Sequence, residues 1–331
     1  KLCEMKKSLF LFLMAALFLT ACSNDDDTDT LGNWIEQSDF EGLPRSNAVS
    51  FVVNNYVYVG TGYNDDADSE YMNDFWKYDP ANDSWVKVAD FPGAGRSGAV
   101  AFVIGNKAYV GTGYNGKDRL KDFWEFDPAA NSWTRKADFG GTARYGCVSF
   151  AIGNNGYIGT GYDGNDNRDF WIYDPATDQW SQTVSIGGSK RKNATAFVLD
   201  GKAYVCTGIN NGVYQKDLWQ FDPATSTWTE KVALDDDDDW TIYCSQAVSF
   251  ALNGKGYIAL GENSGVKSEI WEYNPSQNTW TDKTDFEGSA RQEAIAYVVN
   301  SRAFVGLGRS GSYYFDDIWE CKPNDEYDDE D

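Results

Sequence analysis

Apolar and polar positions recur along this chain with a period of about 48 residues. Each period contains four short runs of alternating apolar and polar residues, separated by turn sequences rich in glycine, asparagine and aspartate. In the second period the runs are Ala99–Ile104, Ala108–Gly113, Asp122–Phe126 and Ser132–Ala137. Alternation with a period of two is typical of β-strands that are buried on one face, so the pattern predicts four antiparallel strands per repeat.

Four markers hold the repeats in register. The tryptophans of an Asp-Phe-Trp-like triplet are spaced by 48, 47, 48, 52 and 48 residues, at Trp76, Trp124, Trp171, Trp219, Trp271 and Trp319. A second tryptophan lies in the last run of the first five rows, at Trp85, Trp133, Trp180, Trp228 and Trp280. An arginine opens five rows, at Arg45, Arg96, Arg144, Arg191 and Arg291, and Cys244 takes its place in the remaining row. A Gly-Thr-Gly-Tyr motif ends the second run of the first three rows and degrades in the others. Six matching rows predict one repeat domain.

Four strands in about 50 residues, with paired tryptophans and glycine signals, resemble the kelch repeat of the galactose oxidase/kelch superfamily. The resemblance covers residues 32–323. It implies an all-β, six-bladed β-propeller with four antiparallel strands per blade. The family's adjacent glycine pair is here Gly-Thr-Gly or a relative of it.

The sixth row lacks a fourth run, and the fragment at residues 32–40 carries the missing markers. Trp34 corresponds to the second tryptophan, and Asp39-Phe40 corresponds to Asp138-Phe139. We therefore predict that residues 32–40 supply the outer strand of blade 6 and close the ring, which leaves no open sheet at either end of the chain.

The segment before the repeats has the features of a secretory signal. Lys6-Lys7 precede an apolar run from Leu9 to Leu19, so residues 1–21 are predicted to be a signal peptide. Leu19-Thr20-Ala21-Cys22 resembles a bacterial lipobox, which implies an acyl anchor such as palmitate on Cys22. Residues 22–31 then form a lipidated acidic linker, and residues 324–331 form an acidic tail. Ser23 and the aspartates after it resemble an export signal for the outer face of the outer membrane; an outer-membrane lipoprotein facing the periplasm is the alternative.

Charge and composition exclude several classes of function. The net charge of −23 disfavours nucleic acid and anionic lipid headgroups as partners, so the membrane is expected to be contacted through the lipid anchor only. The chain contains no histidine, which excludes Ser-His-Asp triads and the copper site of galactose oxidase. The acidic stretches at residues 65–70 and 235–239 lack EF-hand spacing and are interpreted as solvated loops, so no metal or cofactor is expected.

Candidate binding residues are those at which the rows differ. The positions after the Gly-x-Gly motif are Tyr63, Tyr114, Tyr162, Ile209, Glu262 and Arg309. Aromatic faces beside an acid and an arginine suit a sugar or peptide ligand, although the tyrosines could equally cap the blades. Trp240, in the insertion DDDDDWTIY between blades 4 and 5, is a further candidate contact. Residues beside the row-opening arginines complete the surface, at Asn47, Tyr145, Asn193, Gln246 and Glu293. The arginines recur once per blade and are interpreted as scaffold residues rather than as an anion trap.

The leading hypothesis is a surface-anchored, non-catalytic, monomeric propeller that binds a glycan or a protein with its loop-rich face. One alternative is a sugar mutarotase resembling N-acetylneuraminate epimerase, also a kelch propeller, that works with arginine, glutamate and tyrosine. Another is a structural subunit of an outer-membrane complex. The remaining cysteines, Cys147, Cys206, Cys244 and Cys321, are expected to be buried thiols, with a Cys206–Cys244 bond left open.

Overall fold

The computed structural model describes residues 30–236 and 240–328. The predicted signal peptide and the lipobox cysteine Cys22 lie outside the described residues. Within the described part of the chain, no helix has the length and apolar character needed to span a membrane.

Six four-stranded antiparallel sheets form the blades of a propeller, which confirms the predicted fold class. Every sheet runs from an innermost strand beside the axis to an outer strand at the rim. The strands of blades 1 to 5, from the axis outward, are Val49–Val53, Tyr56–Gly60, Phe75–Asp79 and Ser84–Val88; Val100–Ile104, Lys107–Gly111, Phe123–Asp127 and Ser132–Lys136; Val148–Ile152, Asn155–Gly159, Phe170–Asp174 and Gln179–Thr183; Thr195–Leu199, Lys202–Cys206, Leu218–Asp222 and Thr227–Glu230; and Val248–Leu252, Lys255–Ala259, Ile270–Asn274 and Thr279–Lys283.

Blade 6 joins the two ends of the chain. Its three inner strands are Ile295–Val299, Arg302–Gly306 and Ile318–Lys322, and its outer strand is Asn33–Glu36 from the N-terminal fragment. The pairing is antiparallel, with Asn33 opposite Lys322 and Glu36 opposite Trp319. The predicted closing strand is thereby confirmed.

The blades pack through rings of equivalent side chains. An aromatic residue on each innermost strand is buried, as the alternation predicts, at Phe51, Phe102, Phe150, Phe197, Phe250 and Tyr297. Small residues at the alternate positions line the axis, at Ala48, Ala99, Cys147, Ala194, Ala247 and Ala294. Burying one large aromatic side chain stabilises a fold by roughly 1.5–3 kcal/mol, so the six equivalent side chains make a substantial contribution to the stability of the ring.

Loops between second and third strands, together with the links between blades, form one face of the disc, which we call the loop face. Two short hairpins extend it, Ile209–Asn210 with Val213–Tyr214 in blade 4 and Arg309–Ser310 with Tyr313–Tyr314 in blade 6. A third hairpin pairs Asp235–Asp236 with Trp240–Thr241 between blades 4 and 5. The loop face therefore carries short hairpins at blades 4 and 6 and between blades 4 and 5.

Candidate functional site

The row-opening arginines lie inside the loop face, not on it. Arg96 is fully buried, and its guanidinium donates to both carboxylate oxygens of Asp122 at 2.7 and 2.8 Å. It also donates to the carbonyl oxygens of Ala94 and Thr112. The same set of contacts surrounds Arg45, Arg144, Arg191 and Arg291. Because these guanidinium groups already have carboxylate and carbonyl partners, an anion could reach them only by breaking a buried ion pair.

Each aspartate in these pairs also accepts a hydrogen bond from the indole two residues later. Trp124 Nε1 donates to Asp122 Oδ2 at 2.9 Å. Burial by itself raises the pKa of Asp122, but the hydrogen bond and charge of Arg96, with the Trp124 N–H, outweigh it and leave the pKa below its usual value. The arginine, aspartate and tryptophan thus form one hydrogen-bonded unit per blade.

Blade 5 lacks this unit. Cys244 replaces the arginine, and its thiol donates to the carbonyl of Leu260 at 3.8 Å. Glu269 replaces the aspartate and pairs with Lys267 at 2.6 Å. Among the described residues, the buried Trp271 Nε1 has no hydrogen-bond partner. The Cys206 and Cys244 thiols are both free and buried, and burial raises the pKa of Cys244 to about 12.

A closed ring of six backbone hydrogen bonds surrounds the axis at the loop face. The participating residues, two after each row-opening position, are Asn47, Gly98, Gly146, Asn193, Gln246 and Glu293. Each N–H donates to the carbonyl of the preceding blade's member, with Asn47 donating to Glu293, at 2.9–3.2 Å. All six have positive φ, between 51° and 63°. Below the ring runs an axial cavity of about 230 Å³ lined by alanines and hydroxyl residues.

Two members of this ring have conformations that their residue types disfavour. Glycine and asparagine adopt positive φ readily, whereas the same conformation at Gln246 and Glu293 destabilises the fold by roughly 1–2 kcal/mol per residue. Their side chains are bonded to one another, with Gln246 Nε2 donating to Glu293 Oε1 at 2.6 Å. Glu293 in turn holds Arg309 through Nε at 2.6 Å and Nη2 at 3.1 Å. The strained backbone therefore places the hydrogen-bonded side chains of Gln246, Glu293 and Arg309 where the axis meets the loop face.

Six tyrosines form an arc across blades 6, 1, 2 and 3 on the loop face. In order they are Tyr314, Tyr63, Tyr71, Tyr114, Tyr145 and Tyr162. Neighbouring ring centroids are 6.2, 4.9, 6.0, 5.6 and 5.6 Å apart. We call this set the tyrosine arc. Burial raises the pKa of Tyr71 and Tyr145, so their hydroxyls remain protonated donors at neutral pH.

Charged groups lie at both ends of the arc. The positive charge of Arg309 acts to lower the pKa of Tyr63 and of Tyr314. Burial has the larger effect, so both pKa values are raised above the usual value. At the other end, the Lys192 ammonium lies 4.4 Å and the Arg119 guanidinium 5.1 Å from the ring centroid of Tyr162. These cations stand out on a chain of strongly negative charge.

The sequence-predicted candidates separate into four groups. Tyr63, Tyr114, Tyr145 and Tyr162 belong to the tyrosine arc. Glu262 lies apart from it, where its carboxylate accepts from the hydroxyls of Tyr214 and Ser245 at 2.9 and 2.7 Å. Asn193 belongs to the backbone ring with Asn47, Gln246 and Glu293, whereas the ring position of blade 3 is held by Gly146 rather than Tyr145. Ile209 and Trp240 belong to the two hairpins of blade 4 and of the insertion.

The sequence pattern did not identify Tyr71, Tyr314, Arg119, Lys192 or Asp166, whose backbone pairs with that of Tyr162. Lys192 could have been found, because it follows a row-opening arginine in the register of Tyr145. The other four also share a repeat position, since each lies three residues before the acidic residue of the Asp-Phe-Trp-like triplet and pairs with the residue after the Gly-x-Gly motif.

Comparison with known proteins agrees with this architecture. A family model described as the KLHDC2/KLHL20/DRC7 Kelch-repeats domain matches residues 33–191, and one described as the Kelch motif matches residues 190–231. The solved structure described as "Structure of YjhT" superposes with a TM-score of 0.70, covering 85% of this chain and 96% of that chain at 18% identity. At that identity the similarity establishes the shared fold.

Two bacterial relatives match a shorter stretch. The N-acetylneuraminate epimerases of Escherichia coli (strain K12) and Shigella sonnei (strain Ss046) are each 39% identical to the chain over 84 residues. The match spans 25% of this chain and 23% of each relative, so less than a quarter of the relatives' length is covered. Taken with the six-bladed ring and its repeated Arg-Asp-Trp units, the family matches show that the chain is a kelch-repeat β-propeller.

Proposed function

We propose that this propeller is a glycan-binding protein of the bacterial cell surface, tethered by a lipid on Cys22, that holds a saccharide on the tyrosine arc. The observation that carries the proposal is the arc itself, in which six neighbouring tyrosines are packed edge to face or tilted at centroid distances up to 6.2 Å. Aromatic rings bind the apolar faces of sugars, and tyrosine adds a hydroxyl that can donate to the sugar's oxygens.

Packing within the arc favours binding. Tyrosine has few rotatable bonds, and rings that already contact one another lose little conformational freedom when a ligand arrives. Arg309, positioned by Glu293 and Gln246, supplies a charged donor at one end of the arc. Stacking faces with a small number of oriented polar groups are the usual composition of a sugar site.

An array of defined mono- to tetrasaccharides probed with the full-length protein in detergent tests the proposal. We expect selective binding, weakened about tenfold or more by Tyr114→Ala and by Tyr162→Ala, as for aromatic hot spots. Tyr56→Ala is the matched control, because Tyr56 is a half-buried tyrosine under Lys77 on the opposite face. If all three variants bind saccharides equally well, the binding site lies outside the tyrosine arc. If the protein binds no saccharide but binds a protein partner through the same tyrosines, the ligand is a protein and not a glycan.

The surface location has its own test. Protease added to intact cells should release the propeller, and Cys22→Ser should free it from the membrane fraction. A propeller that is cleaved only after the outer membrane is opened would place it in the periplasm.

Sugar mutarotation is the second candidate function, favoured by the 84-residue match to proteins named N-acetylneuraminate epimerase. Glu262 and Glu293 are carboxylates of the loop face that could move a proton between the anomeric hydroxyl and the ring oxygen of a sugar, and the Arg309 guanidinium could stabilise the oxyanion that forms on ring opening. NMR of freshly dissolved N-acetylneuraminic acid tests this directly. Acceleration of anomer exchange over buffer that disappears in Glu293→Gln would establish the activity, and an unchanged rate with the wild-type protein would remove it.

A further inference from the structure

Two buried oxygen atoms without partners among the described residues lie where the blade-3 and blade-4 loops meet. Asp166 is 4% exposed; its Oδ2 accepts from the backbone N–H of Asn211 at 2.8 Å, while its Oδ1 has no hydrogen-bond partner among the described residues. The Oδ1 of Asn210, the residue before that N–H, is buried and equally without a partner in the described part of the chain. An unpartnered buried oxygen destabilises a fold by about 1–3 kcal/mol, so two of them at one contact between loops require an explanation.

The residues around these atoms define a small site, which we call the Asp166 site: Arg119, Tyr162, Asp166, Lys192 and Asn210. Backbone bridges hold it together, since Tyr162 pairs with Asp166 and Lys192 pairs with Ile209 next to Asn210. The Lys192 and Arg119 charges lie against the Tyr162 ring, and neither forms an ion pair with another described residue. The Asp166 site therefore combines two acceptors without partners and two cations without a carboxylate partner, within the described residues, at the end of the tyrosine arc.

The mixture of groups indicates which ligand the Asp166 site would bind. A ligand that pairs with the two acceptor oxygens must bring a hydroxyl, an N–H group or a metal ion, but a cationic ligand would be repelled by Lys192 and Arg119. A hydroxyl group both donates and accepts, so it can satisfy Asp166 or Asn210 with its hydrogen and Lys192 or Arg119 with its lone pairs.

We propose that the Asp166 site is a subsite for adjacent hydroxyl groups of a saccharide, with Asp166 and Asn210 as acceptors and with Lys192 and Arg119, which lie against the Tyr162 ring, as donors. This rests on the proposed function, which it deepens by assigning the polar end of the site. A bound saccharide would supply partners for the Asp166 and Asn210 oxygens that have none without a ligand. Binding sites often keep groups of this kind, which lower the stability of the free protein.

Asp166→Asn tests the subsite because stability and binding should change in different directions. The amide oxygen can still accept from Asn211, while an NH2 group replaces the unpartnered oxygen. We expect the variant to melt at or above the wild-type temperature and to bind the array-selected saccharides at least tenfold more weakly. Asp163→Asn is the matched control from the same loop, since Asp163 has partners in Thr142 at 2.6 Å and Asn165 at 3.1 Å. The control should melt lower and bind as the wild type does.

The outcomes separate the subsite from the function as a whole. If Asp166→Asn binds like the wild type while Tyr114→Ala and Tyr162→Ala do not, the saccharide function stands and the subsite is overturned. If the wild type binds no saccharide, both fall. A melting temperature several degrees below wild type would give Asp166 a structural role and overturn the subsite. Calorimetry with Ca²⁺ alone gives a further outcome. If the wild type binds Ca²⁺ and Asp166→Asn does not, the two oxygens belong to a cation site and the saccharide subsite is overturned.

Discussion

The indole ring of Trp34 lies edge-on against the ring of Phe286, with centroids 4.8 Å apart and planes at 81°. One residue comes from the start of the described chain and the other from the link that leads into blade 6. Trp34 is fully buried, and its Nε1 donates to the carbonyl of Thr284. The same bond recurs from Trp133, Trp180 and Trp228 to the blade before each. The N-terminal strand therefore reproduces the ordinary contact between two blades.

Loss of this contact should destabilise the whole domain. Trp34→Ala removes a large side chain from a site with no solvent access, and the free energy of unfolding should fall by about 3–5 kcal/mol. Deletion of residues 32–40 should lower it further, because blade 6 loses its outer strand. Thermal denaturation measures both, with Glu36→Ala, exposed on the same strand, as the control. A deletion variant with an unchanged melting temperature would contradict closure of the ring.

The buried arginine–aspartate pairs should be far more sensitive than those on the surface. Arg96→Met leaves the Asp122 carboxylate without its guanidinium, which should destabilise the domain by about 3 kcal/mol or more. Arg135→Met breaks the exposed pair with Asp138 and should change stability by less than about 1 kcal/mol. Urea denaturation of the two variants makes the comparison. Equal effects would mean that the Arg96 unit contributes little.

Acid should unfold the propeller through the same units. The pKa values of Asp74, Asp122 and Asp217 lie below 3.8, because contacts with arginine and tryptophan outweigh the effect of burial. A carboxyl group with a lowered pKa contributes stability that is complete above its unfolded pKa and is lost as pH falls through its folded pKa. Stability should therefore be flat from neutral pH to about 5 and fall steeply below about 4. Melting temperatures across this range check the sign; stability that declines already at pH 6 would point to other groups.

The backbone ring predicts which substitutions the axis tolerates. Gly98 has φ of +59°, and asparagine occupies the equivalent ring position at Asn47 and Asn193. Gly98→Asn should be nearly neutral, whereas Gly98→Val forces a branched residue into the left-handed region and should destabilise by about 1–2 kcal/mol or more. Denaturation curves of the pair decide the point, and equal losses would show that side-chain volume, not backbone conformation, governs this position.

The free thiols should be nearly inert in the folded protein. Burial raises the pKa of Cys147 and Cys244 to about 12, so almost no thiolate is present at pH 8. Cys147, which lines the axial cavity and is the least buried of the four, should react first with a small uncharged reagent. Thiol titration before and after unfolding measures this. A melting temperature that drops on addition of a reductant would reveal a Cys206–Cys244 disulfide.

Repetition explains how much of the molecule the sequence could predict. The recurring markers predict the strand order, the number of blades and the role of Trp34, because every blade packs against its neighbours through equivalent residues. The predicted run at Ala99–Ile104 and the strand at Val100–Ile104 differ by one residue. Arg119, Asp166 and Tyr314 share one repeat position, three residues before the acidic residue of the Asp-Phe-Trp-like triplet. The residue type at that position differs from blade to blade, so the repeat predicts where these side chains lie but not which of them bind a ligand.

The hydrogen-bonded ring at the axis also limits how a polysaccharide could bind to the propeller. Neighbouring members are one strand spacing apart, about 4.8 Å, so six of them leave an opening suited to water rather than to a substituted sugar ring. The side chains of Gln246 and Glu293 narrow this opening further. A polysaccharide must therefore lie across the disc and cannot be threaded through it. Internal segments and chain ends would be equally accessible, and binding along a long glycan would depend on local sugar structure, not on the presence of a free terminus.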